Sequence, residues 1–233
     1  MMSATGRTSL IFDPPSGRMP PRTSEGARRK EVHDRAFPVD GPFASWEDLE
    51  LNDRCLVWSA GPPMLPSAYN NNFLITQTPG YVAIYVEMIH DMRIIPIDGR
   101  AHLPANLRQW HGDARGHWDG DTLVVETTNL RRTEANAAAV GGDPVLLRAA
   151  NGRTDDTITV TERFTRADGD TVHYSFTIED PTQWTRDWSG EFPFVALPSE
   201  ELLYEYACHE GNYSMTNILG GERELERTAE SQQ

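Results

Sequence analysis

Three features of the sequence predict an all-β chain, an antiparallel meander closed into a barrel of lipocalin or calycin type. Short runs rich in Val, Ile, Thr, Phe and Tyr recur from about Leu56 onward, separated by clusters of Gly, Pro, Asn and Asp. Two separators, Asp119-Gly120-Asp121 and Asp168-Gly169-Asp170, are tight hairpin signals, which join consecutive strands antiparallel. Helical patterning is scarce, so strands must cover strands, as in a barrel or sandwich. A cone-shaped, scytalone-dehydratase-like fold is the runner-up, but it opens with helices and none is convincing here.

Taken in order, residues 1–45 read as an irregular arm punctuated by Pro14-Pro15, Pro20-Pro21, Pro38 and Pro42. Long Pro-rich segments wrap a domain or stay extended rather than build a core. One short helix is expected near Glu25–Arg35. Residues 46–225 read as the single β domain. Strands are expected near 56–59, 73–78, 81–88, 93–97, 115–119, 122–129, 157–166, 171–179 and 189–196. Residues 131–152, with Ala137-Ala138-Ala139 and Gly141-Gly142, break the pattern as a loop or an excursion. A short C-terminal helix over 199–210, ended by Gly211, suits the usual place of Gly just past a helix. The alternation of Leu202, Tyr204 and Tyr206 keeps a final strand open. Residues 226–233 read as a disordered tail.

Composition narrows the partners. A chain of 233 residues fits one domain, and its net charge of −14 repels phosphate backbones and anionic bilayers. No apolar run approaches the roughly 20 residues that span a membrane. The N-terminus carries no apolar leader core, so an exported location requires a trimmed leader, and a cytoplasmic one is expected otherwise. A homodimer is compatible with this surface. Cys55 and Cys208 are too far apart for a CxxC or zinc motif. They are read either as two buried thiols or as one long-range disulfide.

Strand alternation picks out polar residues that face inward. Ile158, Val160, Glu162 and Phe164 share one face of 157–165, so Glu162 points into the core. A carboxylate there is costly unless paired or protonated, which leaves a site residue or an internal ion pair with an Arg. In 81–89, Val82, Ile84, Val86 and Met88 form an aliphatic core face. Tyr81, Ala83, Tyr85 and Glu87 form either the wall of a polar-lined cavity or an outer face with exposed tyrosines. His173 reads as solvent-facing and receives no role.

Chemistry concentrates in three places. His90, Asp91 and Arg93 sit together at a strand end, where an imidazole suits proton transfer near neutral pH. The run from Trp110 to Trp118 holds two Trp, two His, an Asp and an Arg. Its indoles suit an aromatic or sugar-like ligand, and Asp113–Arg115 pairing in a structured turn is the plainer reading. If residues 204–213 are helical, Tyr206, His209, Glu210 and Tyr213 share one side as an acid–base cluster. The spacing is not that of the HExxH zinc motif. His90, His102, His111, His117 and His209 satisfy no ligand-spacing rule, so no metal is expected. No P-loop, GxSxG or dinucleotide fingerprint is present, so no nucleotide cofactor is expected either.

Several of these motifs also occur together elsewhere. Pro62-Pro63-Met64-Leu65-Pro66 with Tyr69-Asn70-Asn71-Asn72, Glu87-Met88-Ile89-His90-Asp91 with Arg93-Ile94-Ile95-Pro96, and Gly120 to Asn129 belong to the set. So do Glu162 to Arg166, Asp180-Pro181-Thr182 with Trp184-Thr185, and Tyr206 to Tyr213. From about Arg7 to Arg223 the chain resembles a large bacterial protein family, common in soil bacteria and often carrying export leaders. The resemblance implies no established activity, so it transfers no catalytic role. The chain departs from the family pattern at Thr157–Thr161, where a His is usual before the ERFTR segment, and in a longer 131–152 stretch.

The functional expectation is a cofactor-independent acid–base enzyme, a lyase, isomerase or dehydratase, acting on a small aromatic or hydrophobic molecule in a barrel cavity. His90, Asp91, Glu162, Tyr206, His209 and Glu210 are the candidate catalytic residues. Asn71, Tyr85, Arg93, Trp110 and Trp118 are the candidate substrate contacts. The alternative is a binding protein for a small hydrophobic ligand, which predicts that its His and Glu are all structurally paired.

Overall fold

The computed structural model describes residues 7–36, 41–49, 53–57, 61–66, 69–130 and 158–232. The excursion expected at 131–152 lies outside the described residues.

Nine strands, two α-helices and two single-turn 3-10 helices, Trp46–Asp48 and Met88–His90, make up the regular structure of the described residues. The strands and α-helices are β1 (Ile11–Asp13), α1 (Ser24–Ala36), β2 (Phe73–Thr78), β3 (Tyr81–Val86), β4 (Met92–Pro96), β5 (Asp113–Asp119), β6 (Thr122–Thr128), β7 (Thr159–Arg166), β8 (Thr171–Glu179), β9 (Trp188–Val195) and α2 (Tyr213–Ser231). Every strand pair is antiparallel. The pairing gives a six-stranded sheet in the order β1-β9-β8-β7-β6-β5 and a three-stranded sheet β2-β3-β4. Among the described residues no ladder joins the two sheets, so the strands form two packed layers and not one continuous closed meander.

The hairpins form where the turn residues demand them. Gly120 supplies a φ of 58° between β5 and β6, a conformation that costs Gly little. The resulting register sets Val125 against Glu162 and, one hairpin later, Glu162 against Phe176. Ile158, Val160, Glu162 and Phe164 are all buried, as their alternation predicts.

One core fills the space between the layers. Val82, Ile84 and Ile95 of the small sheet pack in the same cluster as Leu123, Val125, Val160, Phe164, Tyr174, Phe176, Ile178 and Trp188 of the large sheet. Each such aliphatic or aromatic burial stabilises by about 1.5–3 kcal/mol. The layers meet closely where β5 passes beneath β4. A Cβ on Gly116 would stand 2.9 Å from the methyls of Ile95 and Ile97.

The N-terminal segment is tied to the large sheet. Ile11 pairs with Gly190, and the Arg22 guanidinium lies 4.4 Å over the Trp184 ring. Thr23 begins α1, its hydroxyl accepting from the Gly26 amide at 2.9 Å. That helix covers the stretch predicted to be helical. Three expectations need correction. Residues 53–57 contain no strand, so nothing described supports one at 56–59. Residues 199–210 are coil and turn, and the C-terminal helix starts only at Tyr213, where the Asn212 side chain accepts from the Met215 amide. That helix continues to Ser231, through most of the stretch read as a tail. Gly211 ends no helix; the cap that starts one is Asn212, the next residue. Among the described residues no helix is long and apolar enough to cross a membrane.

Candidate functional site

The turn between β3 and β4 carries the most unusual backbone of the described chain. Ile89 and His90 are consecutive left-handed residues, with φ of 60° and 50°. Such a conformation costs about 1–3 kcal/mol per residue and needs surroundings that impose it. Those surroundings are visible. The Val86 amide donates to Asp91 O at 2.8 Å, and the His90 amide donates to Glu87 O at 3.1 Å. Ile89 is buried with Val86 and Met88 against Phe73, Tyr206 and Cys208. Glu87 is buried too, and its carboxylate is satisfied three times. It accepts from Asn70 Nδ2 at 2.8 Å, Asn72 Nδ2 at 3.3 Å and the Tyr204 amide at 2.9 Å. Charge-assisted bonds of this kind offset the cost of burying the acid.

The C-terminal segment docks on this turn. His90 Nδ1 donates to Tyr206 O at 3.2 Å, which fixes the tautomer and leaves Nε2 as the ring's second nitrogen. The His209 ring centroid lies 6.4 Å from that of His90. Burial, and beside it Tyr69, hold the Tyr206 hydroxyl above its ordinary pKa, so the phenol stays protonated at neutral pH. A Cys55–Cys208 disulfide, spanning 153 residues, fastens the segment, which decides between the two cysteine readings. Asn212 adds a bond from Nδ2 to Asp53 O at 2.7 Å. On the other side of the turn, Asp91 lies 3.3 Å from His111 Nε2, while His111 Nδ1 donates to Gly61 O at 3.0 Å.

A cavity of about 900 Å³ opens beside this cluster, between β2, the β7–β8 turn and β9. Phe73, Ile75, Val172, Phe192, Phe194 and Leu197 supply much of its apolar wall, and Asn71, Asn72, Arg166, Asp170 and Thr171 its polar lining. Two wall residues also belong to the turn's support. Asn72 binds Glu87, and Phe73 packs on the Val86–Ile89 cluster. The cavity and the strained turn are therefore one side-chain layer apart.

Glu162 lies behind the cavity wall. Arg93 grips it through both terminal nitrogens, one at 3.0 Å from Oε1 and the other on Oε2. Tyr174 donates its hydroxyl proton to Oε1 at 2.7 Å and accepts from the Met64 amide at 2.8 Å. The Tyr174 ring stacks on Phe194 at 4.9 Å, so this polar network props up an aromatic wall. Burial, followed by the Glu162 charge, raises the Tyr174 pKa well above 10.0. Burial opposes the Arg93 charge, but attraction to Glu162 outweighs it and keeps Arg93 ionised.

The predicted residues thus separate into groups. His90, Asp91, Tyr206 and His209 gather at the strained turn, though Tyr206 and His209 do so from coil and not from one helical face. Glu210 is exposed at the end of the same segment. Glu162 and Arg93 are locked together in the core. Asn71 lines the cavity. Tyr85 stands on the outer face of β3 with exposed Tyr81, the second of the two readings for that face. Trp118 is 46% exposed on β5, and neither it nor Trp110 lines the cavity.

Sequence reasoning missed the aromatic cavity wall and the pairing of His102. The His102 ring is held between Asp113 Oδ2 at 2.9 Å and Glu126 Oε1 at 3.1 Å, while Asp113 also accepts from Arg115 at 2.6 Å. The density of charged residues from Trp110 to Trp118 signalled that cluster; the Asp113–Arg115 pairing of the plainer reading is observed, but on strand β5 and not in a turn. Phe192-Pro193-Phe194 is an aromatic pair flanking a proline on a strand next to Tyr174, a signal that alternation alone could have raised. Among the described residues no group of three or more His, Cys, Asp or Glu is placed to hold a metal ion.

No protein family, no curated protein and no solved structure matches the chain.

Proposed function

We propose that this protein binds a small hydrophobic molecule in the cavity between β2, the β7–β8 turn and β9. The observation that carries this reading is the cavity itself, about 900 Å³ with Phe73, Phe192 and Phe194 in its wall. That volume is within the range of small-molecule sites, and such sites are apolar with a few convergent polar groups. The reading also takes the two sheets as the walls of a lipocalin-type cup, where one small ligand sits among inward side chains. Pairing of Glu162, Glu87, His102 and His111 supports binding over chemistry inside the cavity, since each of these groups has a structural partner. The net charge of −14 supports a small-molecule partner over nucleic acid or an anionic membrane.

The test is titration with Nile red, a neutral dye that brightens in apolar surroundings. A saturable signal from one dye per chain is expected. Replacing Ile75 by Trp, which fills the cavity from β2, should weaken the dye by about tenfold or more while leaving the melting temperature unchanged. A signal that never saturates, or that Ile75→Trp leaves intact, removes the reading.

A second reading places acid–base chemistry at the strained turn, with His90 and His209 as proton carriers and Tyr206 as an acid. The left-handed pair Ile89–His90 favours it, because strain of this kind clusters at functional sites. It expects a substrate whose turnover is lost in both His90→Ala and His209→Ala, with folding kept. Turnover retained in both variants excludes that role for the two imidazoles.

A further inference from the structure

We infer that the ligand of the cavity is uncharged, and that the cavity selects against carboxylates of the same apolar shape. The inference rests on the binding reading above and specifies its ligand class.

Arg166 is the only cation among the described residues that line the cavity. A buried carboxylate requires a cation able to meet it, or its desolvation goes uncompensated. Arg166 is poorly free to do so. Its Nε donates to Asp168 O at 3.0 Å and its Nη2 to Gly169 O at 2.8 Å, which folds the guanidinium back over its own hairpin turn. Two carboxylates stand beside it. Asp170 lines the cavity, and Asp168, two residues earlier in the same exposed turn, stands outside the lining. The Asp168 carboxylate accepts from the Asp170 amide at 2.9 Å. That bond, then the Thr171 hydroxyl, and the nearby Arg166 charge hold its pKa below the ordinary value, so it is ionised at neutral pH.

The rim formed by the β7–β8 turn therefore sets one cation against two carboxylates, on a protein whose net charge is already −14. The remaining polar lining, Asn71, Asn72 and Thr171, is neutral. None of them brings a positive charge to a carboxylate, and Asn72 and Thr171 already bond Glu87 and Asp168. An anionic head group would meet the Asp170 charge, with Asp168 further along the same turn, where a fatty-acid site needs an unengaged cation.

The experiment displaces bound Nile red from the full chain with decanol and with decanoate, at low ionic strength and a mildly alkaline pH where the carboxylate is ionised. Decanol should displace the dye at a concentration about tenfold or more below that of decanoate. Because decanol is also intrinsically the more apolar, the ratio is measured again in Asp170→Asn. That variant should shift the ratio toward decanoate by about threefold. Decanoate displacing as well as decanol in the native protein overturns the inference, and so does an Asp170→Asn ratio equal to the native one. Absence of dye binding altogether overturns the cavity reading itself, which is a separate result from either of these.

Discussion

Arg93 on β4 and Glu162 on β7 form an ion pair across the two sheets, with 1% and 0% of their side chains exposed. The pair is a polar bolt beside the apolar cluster that the two layers share. Removing one partner leaves a buried charge unmatched, which costs about 3–5 kcal/mol. Glu162→Leu and Arg93→Met should each destabilise the protein by that order in urea unfolding. The double variant Glu162→Leu with Arg93→Met should be less damaging than either single change. A double variant as unstable as the sum of the two would mean that the pair stabilises beyond its charge balance.

Tyr174 links this pair to pH. Its folded pKa is raised above the ordinary 10.0, so the folded state holds the phenolic proton more tightly than the unfolded chain does. A raised folded value contributes stability that is fully present below the unfolded pKa and is lost as pH rises beyond it. Unfolding free energy should therefore fall as pH climbs past about 10. Tyr174→Phe should flatten that slope while costing about 1–3 kcal/mol at neutral pH, since Glu162 and the Met64 amide lose a partner. An unchanged alkaline slope in Tyr174→Phe would assign it to another group.

Reduction of Cys55–Cys208 should act in two places. The long loop it closes leads us to expect a loss of about 2–5 kcal/mol of global stability. Locally, the amides of Tyr204 and Cys208 should exchange faster, while β7 and β8 keep their protection relative to global unfolding. Exchange that accelerates uniformly across the chain would show that the bridge constrains the unfolded chain alone and does not hold the segment on the turn.

The strain at His90 is measurable by comparing two truncations. Both His90→Ala and His90→Gly remove the bond to Tyr206 O, but only Gly adopts a φ near 50° without penalty. His90→Gly should be the more stable of the two by about 1 kcal/mol. Equal stabilities would mean that the turn relaxes once the imidazole is gone.

Local pattern in the sequence determined the strands, because alternation and turn chemistry act over a few residues. The 157–166 and 171–179 runs, the Asp119-Gly120-Asp121 turn and the inward direction of Glu162 all follow from spacing and steric preference. The helix near Glu25 followed from composition. Whatever depends on residues far apart in the chain was decided only by the tertiary structure. Alternation could say that Glu162 points inward, but not that Arg93, 69 residues earlier, would be waiting for it. It could note His90 and His209, but not that a disulfide and a left-handed turn would bring their rings within 6.4 Å. It could not tell a closed barrel from two facing sheets, since both obey the same alternation and differ only in which edges pair. The cavity was equally out of reach, because Phe73, Val172 and Phe194 become one wall only when strands distant in sequence pack side by side.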